Sequence, residues 1–289
     1  MKKWAVGVLI LLSAAAVLLL VSRYQHGDRR ETVNLDLPAP QPRLQKAPIL
    51  YPVPQLDAFD EPREPAVPAV PGVSEPDVAP EAAEPQAVPA PLPRLDGSDA
   101  RVQEELNGVL APDDFSGLFF TDSIVRRFVA TVDNLTRDKL PRKYVATRPT
   151  ADRFRVGGED SSLFIDQANY DRYTPFVEMV AALDSERLVS VYVRLYPLFQ
   201  KAYEDLGYPK GYFNDRLVEV IEHLLQAPQV RGPVRLVRPH VLYRYADPQL
   251  EALSSGQKIL VRIGADNALV VKRKLQEIVD LLKRGAREP

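Results

Sequence analysis

Apolar positions recur at helical spacing through much of the chain after residue 120. Ile124, Val125, Phe128, Val129, Val132 and Leu135 share one face of a helix that Thr121 or Asp122 can cap, while Arg126 and Arg127 point away from it. Thr174-Pro175 is a cap followed by proline at the first helical position, which opens a helix to about Leu183. Asp184 starts the longest predicted helix, and Gly207 ends it. Leu188, Tyr192, Leu195, Tyr196, Phe199, Tyr203 and Leu206 fill one arc of its wheel; Arg187, Ser190, Arg194, Lys201 and Asp205 fill the other. Pro197 falls mid-helix, where proline kinks the backbone. Asn214 is the expected cap of the next helix, which buries Leu217, Val218, Ile221, Leu224 and Leu225 and closes at Pro228. Asp247-Pro248 opens another that stops near Gly264. Asp266 caps the last, striped by Val271, Leu275, Ile278, Val279 and Leu282.

Two stretches follow a different pattern. Phe154-Arg155-Val156 and Leu163-Phe164-Ile165 flank Gly157-Gly158-Glu159-Asp160, a small β-hairpin. Val234 to Tyr245 is rich in β-branched and aromatic residues and predicts one or two short strands, broken at Pro239 and so at an edge. The expected fold class is mainly α: a multi-helix C-terminal domain with a minor β-hairpin/edge-strand element, preceded by a single transmembrane helix and a disordered Pro-rich linker.

That transmembrane helix is Trp4 to Val21, 18 residues without a charge. A helix of that length rises roughly 27 Å, close to the ~30 Å of a bilayer's hydrocarbon. Trp4 and Tyr24 sit where an aromatic belt would lie. The alternative is a cleaved signal peptide. Ala14, Ala15 and Ala16 lie inside the apolar run, however, and Val21-Ser22-Arg23-Tyr24 has no small-x-small exit. Lys2 and Lys3 favour an inside N-terminus, whereas Arg23, Arg29 and Arg30 pull the other way. The expectation is a bacterial inner-membrane, single-pass protein with its C-terminal domain in the periplasm; a cytoplasm-facing regulatory module is the alternative orientation.

Sixteen of the 27 prolines lie between Pro38 and Pro93. Proline at that density removes amide donors and favours polyproline-II conformation, about 3.1 Å per residue. The expected organisation is a short tail (1–3), an anchor (4–21), a Pro-rich disordered linker (22–95), a helical globular domain (96–285) and a C-terminal tail (286–289). A short apolar patch, Ile49-Leu50-Tyr51 with Val53, could dock somewhere, but the expectation for it is plain linker.

Charge and composition narrow the chemistry. The formal net charge is −2, and from Asp96 onward 28 basic residues face 28 acidic ones, so no nucleic-acid partner is expected. The chain has no cysteine, which excludes disulfides, thiol nucleophiles, iron–sulfur clusters and thiolate zinc sites. No cofactor and no metal site is expected. Glu219, Glu222 and His223 share a helix, but a metalloprotease helix needs a second histidine where Glu219 stands. The predicted partner surface is cationic. Arg126 to Arg155 holds nine basic and three acidic residues, and Arg231, Arg235, Arg238 and Arg244 follow with no acidic residue among them. Arg126, Arg127, Arg142, Lys143, Arg235 and Arg238 are the candidate anion or partner surface, suited to an envelope protein or to an anionic cell-wall or lipid partner. The alternative is a solvated, salt-bridged surface. Tyr208 and Tyr212, between two helices, are the candidate surface aromatics. Asn214-Asp215-Arg216 serves either a helix dipole or a buried Asp–Arg network.

Several segments together carry a family resemblance: "RRFVATVDNL" (126–135), "ANYDRY" (168–173), "LYPLFQKAYEDLGYP" (195–209), "YFNDRLVEVIEHLL" (212–225) and "RPHVLYRYADPQLEALSSGQK" (238–258). Over roughly residues 94 to 285 the chain resembles an uncharacterised bacterial family, domain of unknown function 3014. The resemblance implies an envelope-associated protein of Gram-negative bacteria with an N-terminal anchor, and no catalytic residues. The functional expectation is a non-enzymatic binding or scaffolding module on a long tether; the alternative is a periplasmic enzyme acting on a cell-wall or lipid substrate, with Glu219 or Glu222 as base.

Overall fold

A computed structural model describes residues 46–56, 91–107, 119–148, 153–159 and 162–284. The expected anchor and most of the expected linker lie outside these residues. Among the described residues, no helix is long and apolar enough to cross a membrane.

The apolar stripes bury one another. The longest helix, α5 (Ser185–Asp205), follows α1 (Asp99–Asn107), α2 (Ile124–Asn134), α3 (Gln167–Asp171) and α4 (Thr174–Ala181). Asp184 caps α5 by accepting the Glu186 and Arg187 amides at 2.9 and 3.2 Å. The helix runs through Pro197 as one element, and Gly207 leaves it at φ 118°, where a side chain would be strained. Leu188, Tyr192, Leu195 and Phe199 are buried as the wheel predicts, while Leu206, at the frayed end, is exposed. α2 packs on α5 and on α6 (Phe213–Leu225). Phe128 meets Phe199 edge-on at 5.5 Å, and Phe213 stacks on Phe199 at 5.9 Å. The last helix, α9 (Ala265–Leu282), lies against α6, α4 and α5 and closes the core.

Two short antiparallel hairpins sit over a second, smaller apolar cluster of Ile165, Val234, Leu236, Tyr245 and Val261. β1 (Val156–Gly157) pairs with β2 (Phe164–Ile165), and β3 (Leu236–Val237) with β4 (Arg244–Tyr245). The Ile165 amide donates to the Val234 carbonyl and the Leu236 amide to that of Leu163, which joins the hairpins. The fold is therefore mainly helical with a minor two-stranded element.

Several helix starts differ from expectation, that of α2 because a partner distant in sequence supplies it. Neither Thr121 nor Asp122 caps α2. Ser123 precedes it in a left-handed conformation (φ 52°), and the Asp99 carboxylate of α1 accepts the Ser123 and Ile124 amides at 2.7 and 2.9 Å. Asn214 is not the cap of α6: the helix starts at Phe213, and Asn214 is fully buried, accepting from the Tyr192 hydroxyl at 3.1 Å. The expected helix from Asp247 to Gly264 is two, α7 (Pro248–Glu251) and α8 (Ser255–Arg262). Ser254 and Gln257 form a capping box that restarts the helix. Gly264, not Asp266, precedes α9. The start of α8 meets the end of α2: the Ser255 and Gly256 amides donate to the Arg137 and Leu135 carbonyls at 2.7 and 2.9 Å. A β-carbon on Gly256 would come within 2.9 Å of the Leu135 oxygen, so only glycine permits this approach.

Part of the stretch read as linker lies on the domain. Residues 46–56 run beside the α5–α6 loop and the start of α6. The Leu50 and Tyr51 amides donate to the Asp215 carboxylate at 3.1 and 2.7 Å, and the Asn214 side-chain amide donates to the Tyr51 carbonyl at 2.9 Å. Pro54 is buried. Plain linker is thus the wrong description of Ile49-Leu50-Tyr51, and the reason lies 160 residues away, in side chains the local pattern does not reveal.

Candidate functional site

Three cations of the 126–155 segment, Arg126, Arg127 and Lys143, meet at the start of α2 around a depression of about 290 Å³ that Tyr144, Asp205 and Leu206 also line. Most of this charge is compensated. Arg126 bridges Asp96 and Asp205 at 2.8 and 3.0 Å. Arg127 binds Asp122 at 2.7 Å, donates to the Lys143 carbonyl at 3.1 Å and lies 4.7 Å over the Phe120 ring. Its hydrogen bond holds the Asp122 carboxyl below its usual range; hydrogen bonding by Lys201, aided by Arg126, does the same for Asp205. Arg142 opens the single turn Arg142–Tyr144 that carries Lys143. The Lys143 ammonium lies 5.7 Å from the Tyr144 ring and pairs with no carboxylate among the described residues.

Arg235 and Arg238 lie elsewhere. They belong to the β3–β4 hairpin, on the second apolar cluster, and line no part of that depression. Strand alternation turns Leu236 and Tyr245 inward and leaves Arg235, Val237 and Arg244 exposed. Arg238 is exposed over Tyr243, 5.4 Å from its ring. Arg231, Arg235, Arg238 and Arg244 form no ion pair among the described residues. Val237 and Val241 stand out between them, 44% and 71% exposed.

The two candidate aromatics are less open than expected. Tyr208 stacks on Tyr203 at 4.6 Å, and its hydroxyl donates to Asp133 at 3.2 Å and accepts from Arg137 at 3.0 Å. Tyr208 is therefore a half-buried strut rather than a surface platform. Tyr212 lies under the Lys46 ammonium, 5.4 Å away.

Asp133 is the centre of a buried network; the sequence raised a buried Asp–Arg network only as an alternative, and without Asp133 in it. Its carboxylate is 4% exposed and binds Arg216 at 3.1 Å and Arg137 at 2.7 Å. Arg216 also reaches the Asp133 carbonyl and Thr136, each at 2.7 Å, and Glu219 at 2.9 Å. Glu222 pairs with Lys283. The His223 ring nitrogen sits 2.8 Å from the Ser254 hydroxyl. Burial, then the Arg216 charge, pushes the imidazole below its ordinary value. This resembles a nucleophile–base pair, but Ser254 already accepts the Gln257 amide as a helix cap. Glu222 and His223 thus tie α6 to the end of α9 and to the start of α8, whereas Glu219 pairs with Arg216 within α6. Among the described residues, no group of three or more histidines and carboxylates could hold a metal ion.

The matching family model is described as "Protein of unknown function (DUF3014)", and it covers residues 124–279, from the first residue of α2 to near the end of α9. The chain belongs to this family. The match takes in the four core helices α2, α5, α6 and α9, both hairpins and the whole Asp133–Arg216 network; α1 and residues 46–56 precede it. No curated protein and no solved structure matches the chain.

Proposed function

We propose that this protein is a membrane-anchored, non-enzymatic binding module, and that it meets an anionic envelope partner through the β3–β4 hairpin. One observation carries the reading: Arg231, Arg235, Arg238 and Arg244 are exposed with no carboxylate partner among the described residues, beside exposed Val237 and Val241. Arginine forks pair bidentately with phosphate and carboxylate, and small apolar side chains among them add contact area. The uncharged run from Trp4 to Val21 supports the anchor, and the proline-rich stretch supports display away from the bilayer.

The test has two parts. Full-length protein in neutral detergent is passed over an immobilised polyanion. Arg235→Glu with Arg238→Glu should lower the salt needed for elution, whereas Arg126→Glu should change it little. In cells, a photo-crosslinker at position 241 should capture an anionic lipid, glycan or acidic protein, and the capture should vanish in the double variant. Unchanged elution of the double variant, or a measured turnover without any captured partner, would refute the reading.

A further inference from the structure

The groove that holds residues 46–56 is built differently from its occupant. Its polar floor belongs to the core. Asn214 is 0% exposed, and the Tyr192 hydroxyl, itself 1% exposed, fixes its amide at 3.1 Å. Asp215 lies in the first turn of α6, with its carboxylate aimed at two successive backbone amides. The occupant contributes little of itself. Ile49 and Leu50 are 50% and 66% exposed, and only Tyr51, Val53, Pro54 and Leu56 are drawn toward the domain. Further contacts are the Ala47 amide on the Lys210 carbonyl at 3.4 Å, Lys46 on Glu204 at 3.8 Å and 5.4 Å from the Tyr212 ring, Lys283 5.5 Å from the Tyr51 ring, and Tyr51 against the edge of the main apolar core. A core segment buries its large apolar side chains. A ligand is held by its backbone and one or two anchors, in a site that does not need it in order to stand.

We propose that the start of α6, with the α5–α6 loop and the end of α9, is a peptide-binding site, and that residues 46–56 are its detachable ligand in cis. The site takes an extended segment. Asp215 receives two consecutive amides, Asn214 donates to the next carbonyl, the Lys283 ammonium faces a tyrosyl ring, and the proline three residues after that tyrosine is buried. The 34 residues from 57 to 90 connect this ligand to the domain, so its local concentration is on the order of millimolar and the site stays filled. Weakening the segment opens the site without touching the helical core.

A fluorescent peptide of residues 46–56 is titrated into the full-length chain in detergent. Wild type should bind it weakly, because its own segment competes. Tyr51→Ala with Pro54→Ser should bind it at least tenfold more tightly. Adding Asp215→Ala should abolish that gain while the helical circular dichroism stays unchanged. The proposal falls if the opened chain binds no better than wild type, or if Asp215→Ala leaves binding intact. A concentration-dependent dimer that the Tyr51 and Pro54 changes dissolve would overturn the assignment in cis, because the segment would then be exchanged between copies.

Discussion

Arg126 spans Asp96 and Asp205, and Arg127 closes on Asp122, whereas Arg235, Arg238 and Arg244 on the β3–β4 hairpin reach no carboxylate among the described residues. In the sequence the two segments look alike, and the first is the more basic. In the fold, the first has become framework and the second stays exposed. The difference lies in where the acids come from. Asp96 and Asp205 are 30 and 79 residues from Arg126, delivered by the turn before α1 and by the end of α5. Among the described residues no acid meets the hairpin's arginines; the Glu251 carboxylate reaches the hairpin but accepts the Tyr245 amide at 3.0 Å. Charge counts along a segment therefore report supply, and the tertiary fold determines how much of it remains uncompensated.

The sharpest way to break this contrast is to treat a framework arginine as though it were free. Asp133→Ala should strand Arg216, whose side chain is 15% exposed, and cost about 3 kcal/mol in chemical denaturation. A loss below about 1 kcal/mol would mean that the network contributes little to holding α2 against α6. Asp99→Ala, which leaves the Ser123 and Ile124 amides without their acceptor, should cost about 1–2 kcal/mol by the same measurement. The hairpin should behave in the opposite way. Arg235→Gln, Arg238→Gln and Arg244→Gln together should change stability by less than about 0.5 kcal/mol while lowering the salt at which the protein leaves a polyanion. A large loss of stability would show that these arginines are framework after all.

The smallest effect concerns His223. Its value in the fold lies below the ordinary 6.5, so the unfolded chain binds the proton first as pH falls. Stability is full above 6.5 and declines as pH drops from there toward the depressed native value. Unfolding free energy measured across that window should fall in wild type, and the slope should flatten in His223→Gln.

The helical stripes were legible because each needs only its own sequence. Phe128, Leu195, Phe199, Leu217 and Val271 are buried as their spacing requires. The first hairpin was legible from its Gly157-Gly158 turn, the second only as one or two short strands in a β-branched, aromatic run. The Ser254-x-x-Gln257 capping box was also written locally, and it was missed because the apolar run across it invites one continuous helix. What no local pattern contained was the set of long-range polar contacts: Asp99 at the start of α2, Asn214 beneath Tyr192, Asp133 under Arg216, and Asp215 holding Tyr51. In each, one polar group satisfies another brought near by the fold, so the pairing exists only once the helices have packed. The cationic surface was legible as a list of arginines, but not as one compensated cluster and one open hairpin.

The docked segment also has a mechanical consequence. A pull on the chain ahead of Lys46 reaches the domain first at Glu204, Lys210 and Asp215. Those contacts can yield one after another. Only after they are gone does the load pass on to the turn Leu95–Gly97 and to α1, whose Asp99 holds the first turn of α2. Residues 46–56 thus stand as a fuse ahead of the core, and a brief tug would be spent on a contact that can re-form before it reaches one on which the core depends.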